Sequence, residues 1–260
     1  MAALIDSHAH LDDRKLARDE AGVLARAREA GVVAVVNAGA DMASSRRSVD
    51  LARRQPMVFA SVGIHPHDAS DADEAAWPEL QRLAADDRVV AIGECGLDYF
   101  RDLSPRDVQR RVFARQLALA DALDLPIIIH CRDAYDDCLE IVRAERQAPV
   151  RGVLHCFQGD AAAARGALDL GLYVAVGGSL TFPREEALRQ VVATLPLDRL
   201  MVETDSPYLT PRPKRGSNEP AYVSLVARRV AEVLDASFER VAEATTTNAK
   251  AAFNLPNEPA

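Results

Sequence analysis

The chain carries 260 residues, 48% of them hydrophobic and 27% charged, with a net charge of −8. This composition buries a sizeable core and excludes a disordered chain. The acidic balance argues against coating of duplex nucleic acid through a broad basic face, while leaving room for an enzyme that grips a few phosphates beside bound cations.

The first apolar run, ALID at 3–6, reads as a short buried strand that leads into Asp6-Ser7-His8-Ala9-His10. Period-2 alternation sends His8 and His10 to the same side. Further strands are predicted at VVAVVNAG (32–39), VFASVGI (58–64), VVAIGECG (89–96), PIIIHC (126–131), RGVLHCF (151–157), LYVAVGG (172–178) and LMVETD (200–205). They are rich in Val and Ile and nearly continuous in apolarity, as parallel strands covered on both faces are. Amphipathic stretches separate them. The stretch 104–124 is predicted as a helix with Ser104 at the N-cap, Pro105 at the first helical position, and a stripe of Val108, Val112, Leu117 and Leu119 or Leu123.

Strands alternating with helices, with no Gly/Ser linker and no shift of composition, predict one domain over residues 1–260, a TIM (β/α)8 barrel of the α/β class. A doubly wound open sheet is the alternative, weakened by the lack of a Gly-rich phosphate fingerprint after the first strand. No apolar run reaches membrane length and no signal-peptide pattern opens the chain, so no membrane association is expected. Cys95, Cys131, Cys138 and Cys156 have no CxxC spacing, and a reducing, cytoplasmic setting is expected. Cys95, Cys131 and Cys156 each follow a candidate ligand, and alternation is expected to turn them toward the helix layer as packing residues.

All six histidines fall at the carboxyl end of a predicted strand: His8 and His10 after the first, His65 and His67 after the third, His130 closing the fifth, His155 closing the sixth. Glu94 ends the fourth strand and Asp205 the eighth. In a barrel these ends converge on one face. Taken singly, His130 and His155 read equally well as structural histidines, Glu94 as an arginine partner and Asp205 as a turn cap. Together they would crowd one barrel mouth with ionisable groups, which is costly unless they are paired or ligating. The joint reading is a metal site: His8, His10 and Asp205 for one cation, His130 and His155 for another, and Glu94 bridging. No lysine lies at a strand end to serve as an alternative bridge. Imidazole and carboxylate without thiolate suit Zn, Mn, Fe or Ni, with weaker Mg binding.

The segments IDSHAHLD, VGIHPH, AIGECGLDYF, LPIIIHCRDA, GVLHCFQG and VETDSPYLTP, followed by RGSNEP, resemble in order those of the TatD family of metal-dependent deoxyribonucleases, within the amidohydrolase-like metal-dependent hydrolases. The resemblance runs from residue 5 to residue 220 and implies a TIM barrel with two divalent cations held by the same six residues. It further implies hydrolysis of DNA phosphodiesters, often from the 3′ end, supported by Mg or Mn, with single-stranded DNA or nucleic-acid 3′ ends as substrate. No obligate protein partner is inferred.

Within that reading, a water activated by the two cations attacks phosphorus, with Asp205 also placed to accept its proton. Catalysis is assigned to Asp205, Glu94 and His65, the last as donor to the phosphate, against the reading of a turn histidine fixed beside Pro66. His67 is a substrate contact or supports one. Arg132 reaches a phosphate or pairs with Asp133 or Glu94. Arg212 and Arg215, with Lys214, track a nucleic-acid backbone or are simply solvated, and Tyr99 and Phe100 are available to stack on a base. The same barrel would also serve a small ester, amide or aminoacyl substrate, since fold and metal do not fix substrate. A non-catalytic metal-binding scaffold is a further alternative, opposed by the full ligand set.

Overall fold

The computed structural model describes residues 2–145 and 149–256. Eight parallel strands follow one another in chain order around a nearly closed barrel: β1 (Leu4–Ala9), β2 (Val32–Ala38), β3 (Val58–Val62), β4 (Val89–Asp98), β5 (Ile127–Arg132), β6 (Gly152–Leu154), β7 (Tyr173–Val176) and β8 (Leu200–Val202). Helices lie between them, which gives the expected TIM barrel rather than an open sheet.

The barrel interior is filled by Ile5, Val36, Phe59, Ile128, Val153 and Met201, joined by Phe253 and Leu255 from the end of the C-terminal helix Phe238–Phe253. The amino-terminal end of the barrel is therefore packed, and only the carboxyl end is open. None of the described helices is long and apolar enough to cross a membrane.

Closure of β8 onto β1 relies on side chains and on the backbone just past β8, because β8 is only three residues long. Buried Asp6 accepts from the backbone N–H of Thr204 at 2.8 Å and from its hydroxyl at 2.6 Å. Ser7 Oγ donates to the Val202 carbonyl at 3.1 Å, and the Asp205 N–H donates to the His8 carbonyl at 2.9 Å.

Strand limits differ from expectation where polar residues extend or end a run. β1 continues through His8 to Ala9, β4 reaches Asp98, β6 stops at Leu154 and β8 at Val202. His155 and Asp205 thus sit just past their strands, where backbone direction is set by the turn rather than by pleat.

The helix expected from Ser104 spans Arg106–Ala122, and Ser104 does not cap it. Its hydroxyl donates instead to the His67 carbonyl at 2.9 Å and accepts from the Ser70 N–H at 3.1 Å, tying down the loop after β3. The buried face of this helix is Gln109, Val112, Phe113, Gln116, Leu117 and Ala120, while Val108, Leu119 and Leu123 lie at its margin. The two glutamines are the notable difference from an apolar stripe. Gln116 closes both hydrogen bonds with the Ile64 backbone, at 2.8 and 2.9 Å. Gln109 does the same for Asp98, at 2.9 and 3.2 Å. A single helix thereby fixes the segments that carry His65, His67 and Asp98.

Candidate metal centre

Each candidate ligand is delivered to the open end by backbone packing. His8 points inward from β1, and His10 follows it two residues on. Between β4 and β5 the approach is close: Gly96 has φ +136°, and a Cβ there would lie 2.0 Å from the His130 carbonyl oxygen. That contact holds Glu94 against the β5 histidine. Asp205 adopts a left-handed conformation, φ +54°, which aspartate tolerates better than most residues.

Glu94 lies at the middle of the cluster, buried, with its two oxygens facing different partners. Oε2 is 3.2 Å from His8 Nε2 and 3.5 Å from His10 Nε2, and Asp205 Oδ1 stands 3.5 Å from the same His10 nitrogen and 4.0 Å from that of His8. Oε1 is 3.0 Å from His130 Nδ1, 2.9 Å from His155 Nε2 and 3.4 Å from His65 Nε2. Donors on one tetrahedral ion, each about 2.1 Å from it, stand about 3.4 Å apart. The spacings in both sets are of that size, so the residues present fit divalent cations. The structure brings all six expected ligands together, and His65 with them.

The outer nitrogen of each ring sorts these histidines by role. His10 Nδ1 is 3.2 Å from the Ala38 carbonyl, so that nitrogen carries a proton and leaves Nε2 with a lone pair. His130 Nε2 is bonded to Asp98 at 3.1 Å, freeing Nδ1, whereas His155 Nδ1 lies 3.3 Å from Glu203 without making a hydrogen bond. His8 Nδ1 has no hydrogen-bond partner among the described residues. His65 is the reverse case: its Nδ1 accepts the His67 N–H at 3.1 Å, so in the neutral ring the proton sits on Nε2, aimed into the site. His65 is therefore built as a hydrogen-bond donor, and His10 and His130 as lone-pair donors.

The electrostatics follow from this crowding. Burial disfavours charge on Glu94, yet His155, His65 and His8 around it hold its carboxyl well below the usual range. His10 is pushed up to about 9, with Asp205 and Glu94 prevailing over burial. Burial drives His65 down to about 4, which keeps it neutral. Asp6 is pushed up to about 8 by burial.

Asp98, Glu203 and Asp6 were not singled out in the sequence, although each shares period-2 parity with a chosen ligand (Glu94, Asp205 and His8). Asp98 is the busiest: Oδ2 takes His67 Nε2 at 2.9 Å as well as His130, while Oδ1 accepts the Phe100 and Arg101 N–H groups at 3.0 and 2.7 Å. This bond turns the His67 Nε2 toward Asp98 rather than toward an incoming ligand.

The site opens into a cavity of about 830 Å³ whose wall includes His65, His67, Arg132 and Asp205. Arg132 pairs with neither Asp133 nor Glu94; its guanidinium lies over the Phe100 ring, 3.9 Å from the centroid. Arg212 and Arg215 are exposed and do not line the cavity, because the loop closes on itself through Thr210 Oγ1 to the Gly216 carbonyl at 2.7 Å. Lys214 sits over the Tyr222 ring. Asn218 in that loop is structural, donating to the Thr204 and Tyr208 carbonyls at 2.8 and 2.7 Å, and Glu219 pairs with Arg26 at 2.8 Å. Of the cysteines, Cys95 and Cys131 pack in the helix-facing core as expected, Cys131 also touching the cavity wall, whereas Cys156 lies on that wall outside the core. Cys156 does so because β6 has ended and its φ is +46°, so alternation no longer applies. Burial pushes all three thiols up, which leaves them protonated.

Residues 5–254 match the family model described as TatD related DNase. The chain belongs to this family. It is 42% identical over 253 residues to the Bacillus subtilis protein named uncharacterized metal-dependent hydrolase YabD, covering 97% of this chain and 99% of that one. It is 35% identical over 258 residues to the Salmonella typhimurium 3'-5' ssDNA/RNA exonuclease TatD, with 97% and 99% covered. Among solved structures, the Escherichia coli K12 TatD homolog YJJV superposes with a TM-score of 0.93 at 31% identity, over 98% of this chain and 99% of that one. The chain is thus a TatD-family metal-dependent hydrolase.

Proposed function

We propose that the protein is a divalent-cation-dependent phosphodiesterase, a 3′–5′ exodeoxyribonuclease acting on single-stranded ends. One observation carries this reading: the two oxygens of Glu94 face two donor sets, His8 and His10 (with Asp205 beside them) on one side and His130 and His155 on the other, with His155 also within ligating reach of His8 and Asp205. A carboxylate shared in this way suits two cations, Mg or Mn for activity, with Zn, Fe or Ni also compatible with the donors. Bound there, the cations supply positive charge to the phosphoryl oxygens and make a water more acidic.

The chain's own groups do the rest. His65 presents Nε2–H toward a phosphoryl oxygen, and remains neutral through burial. Asp205, at the cavity wall, accepts the proton of the attacking water. Arg132 stands at the rim for an adjacent phosphate, and His67, held by Asp98, supports His65 from behind. The filled barrel floor favours entry of a strand by its end. The exonuclease name of the Salmonella relative supports the direction.

The test is metal-stripped protein reloaded with Mg, Mn or Zn and given a 5′-labelled single-stranded DNA, with His155→Ala as blank. A ladder shortening from the 3′ end, absent in the blank, is expected. No cleavage with any cation, despite bound ions, would sink the nuclease reading and favour a small ester or aminoacyl substrate.

A further inference from the structure

Three large apolar side chains stand exposed among the described residues, and all three lie on the loops after β4 and β8: Phe100 at 58%, Leu103 at 62% and Tyr208 at 49%. Two of the three, Phe100 and Tyr208, line the cavity. Tyr208 is already engaged, edge-on to His10 at 5.9 Å, with Lys15 5.8 Å from its centroid. The Tyr99-Phe100 pair is not equivalent either. Tyr99 donates to Asp137 at 2.7 Å and has Arg106 over its ring at 4.2 Å, so its surface is taken. Phe100 is covered on one face by Arg132 and open on the other.

The backbone that carries this open ring is anchored. Its N–H is bonded to Asp98 Oδ1 at 3.0 Å, and the other oxygen of the same carboxylate bonds His130 at 3.1 Å. Phe100 is thus two hydrogen bonds from a candidate cation ligand, at a fixed offset from it. Arg101 and Arg132, the cations beside it, have no carboxylate partner among the described residues, although eight carboxylates line the cavity. An exposed aromatic face flanked by unpaired guanidinium groups matches a ligand that is flat, aromatic and anionic along its edge. A nucleotide of a single strand has that chemistry.

We infer that Phe100, backed by Arg132, is a stacking platform for one base of the bound strand, near the 3′ end. The inference rests on the phosphodiesterase reading and assigns a base subsite within it. Stacking is indifferent to base identity, so the platform grips any sequence and sets how many nucleotides the mouth engages. Base-on-aromatic stacking contributes about a 5- to 150-fold gain in affinity per base.

The test uses the full chain with Mg or Mn and a 5′-fluorescein single-stranded DNA made resistant to cleavage by phosphorothioates at its last linkages. Binding is read by anisotropy for the intact strand and for strands with one abasic site at each of the last four positions. The expected result is one position at which loss of the base weakens wild-type binding within that range. Phe100→Ala weakens the intact strand by a similar factor and becomes insensitive to the abasic site at that position, while Phe100→Trp restores both. Phe100→Ala binding the intact strand within twofold of wild type, or still losing affinity at that abasic position, would overturn the platform. Wild type binding no strand with either cation would overturn it as well, and is distinguishable because the phosphodiesterase reading falls with it.

Discussion

At the scale of single residues, the imidazoles of the site are defined by what stands behind them. A carboxylate behind a ligating histidine fixes its tautomer and raises its basicity, and loss of such a partner costs about 10- to 100-fold in metal affinity. Asp98→Asn is therefore expected to weaken cation binding by about that factor while the fold is retained, as calorimetric titration of the stripped protein would reveal. An unchanged affinity would mean that the Asp98–His130 bond is incidental. His65 obeys the opposite rule, since its inner nitrogen carries the proton. His65→Ala is expected to lower kcat/KM by about 10²–10³-fold with cation content unchanged, as for removal of one transition-state donor. Loss of a cation in that variant would instead make His65 a ligand.

At the scale of elements, the helix Arg106–Ala122 does more positioning than packing. Gln116→Leu would remove both partners of the Ile64 backbone, each left unpaired at about 1–3 kcal/mol, and is expected to destabilise the fold by about 2–4 kcal/mol. Activity should fall further than stability alone explains, because His65 follows directly; urea unfolding and kinetics on the same samples would separate the two. On the helix Met42–Arg54, Asp41 is the N-cap, in a reciprocal box with Ser44. Burial opposes its charge, but the Ser44 bonds and Arg47 prevail and hold the carboxyl below the usual aspartate range. The folded state thus binds this proton more weakly than the unfolded chain. Its stabilisation is complete above about pH 4 and is lost as pH falls below that value. Asp41→Ala is expected to cost about 1 kcal/mol at pH 7 and to cost less in acid, as denaturant midpoints at both pH values would record.

Period-2 apolarity made the strands legible, and the facing of His130, which shares the interior parity of Ile128. Register shifts between Asp6 and Ala9 in β1, which leave His8 out of step with the interior Ile5, and between Ile92 and Cys95 in β4, beside Glu94, are not legible in a pleat pattern. Asp98 and Glu203 share sequence parity with Glu94 and Asp205, but nothing in a one-dimensional pattern tells a ligand from the carboxylate behind it, or shows that Asp6 braces Thr204 instead. Gln109 and Gln116 were invisible for a related reason: a polar residue on a buried helix face is explained only by the loop backbone it meets. The exposed fate of Arg212 and Arg215 depended on the loop's own hydrogen bonds.

For the whole molecule, a cavity lined by eight carboxylates and three guanidinium groups is a poor anion site until cations enter it. Protons take part of that role in the stripped protein, as the raised His10 indicates. The most direct measurement of the central claim is titration of the stripped protein with Mn²⁺, read by calorimetry and by electron paramagnetic resonance, alongside Glu94→Gln. Two equivalents per chain with a spin-coupled signal are expected for wild type, and loss of the coupling and of at least one equivalent for the variant. A single equivalent in wild type, or two magnetically independent ions, would contradict a carboxylate bridge at Glu94.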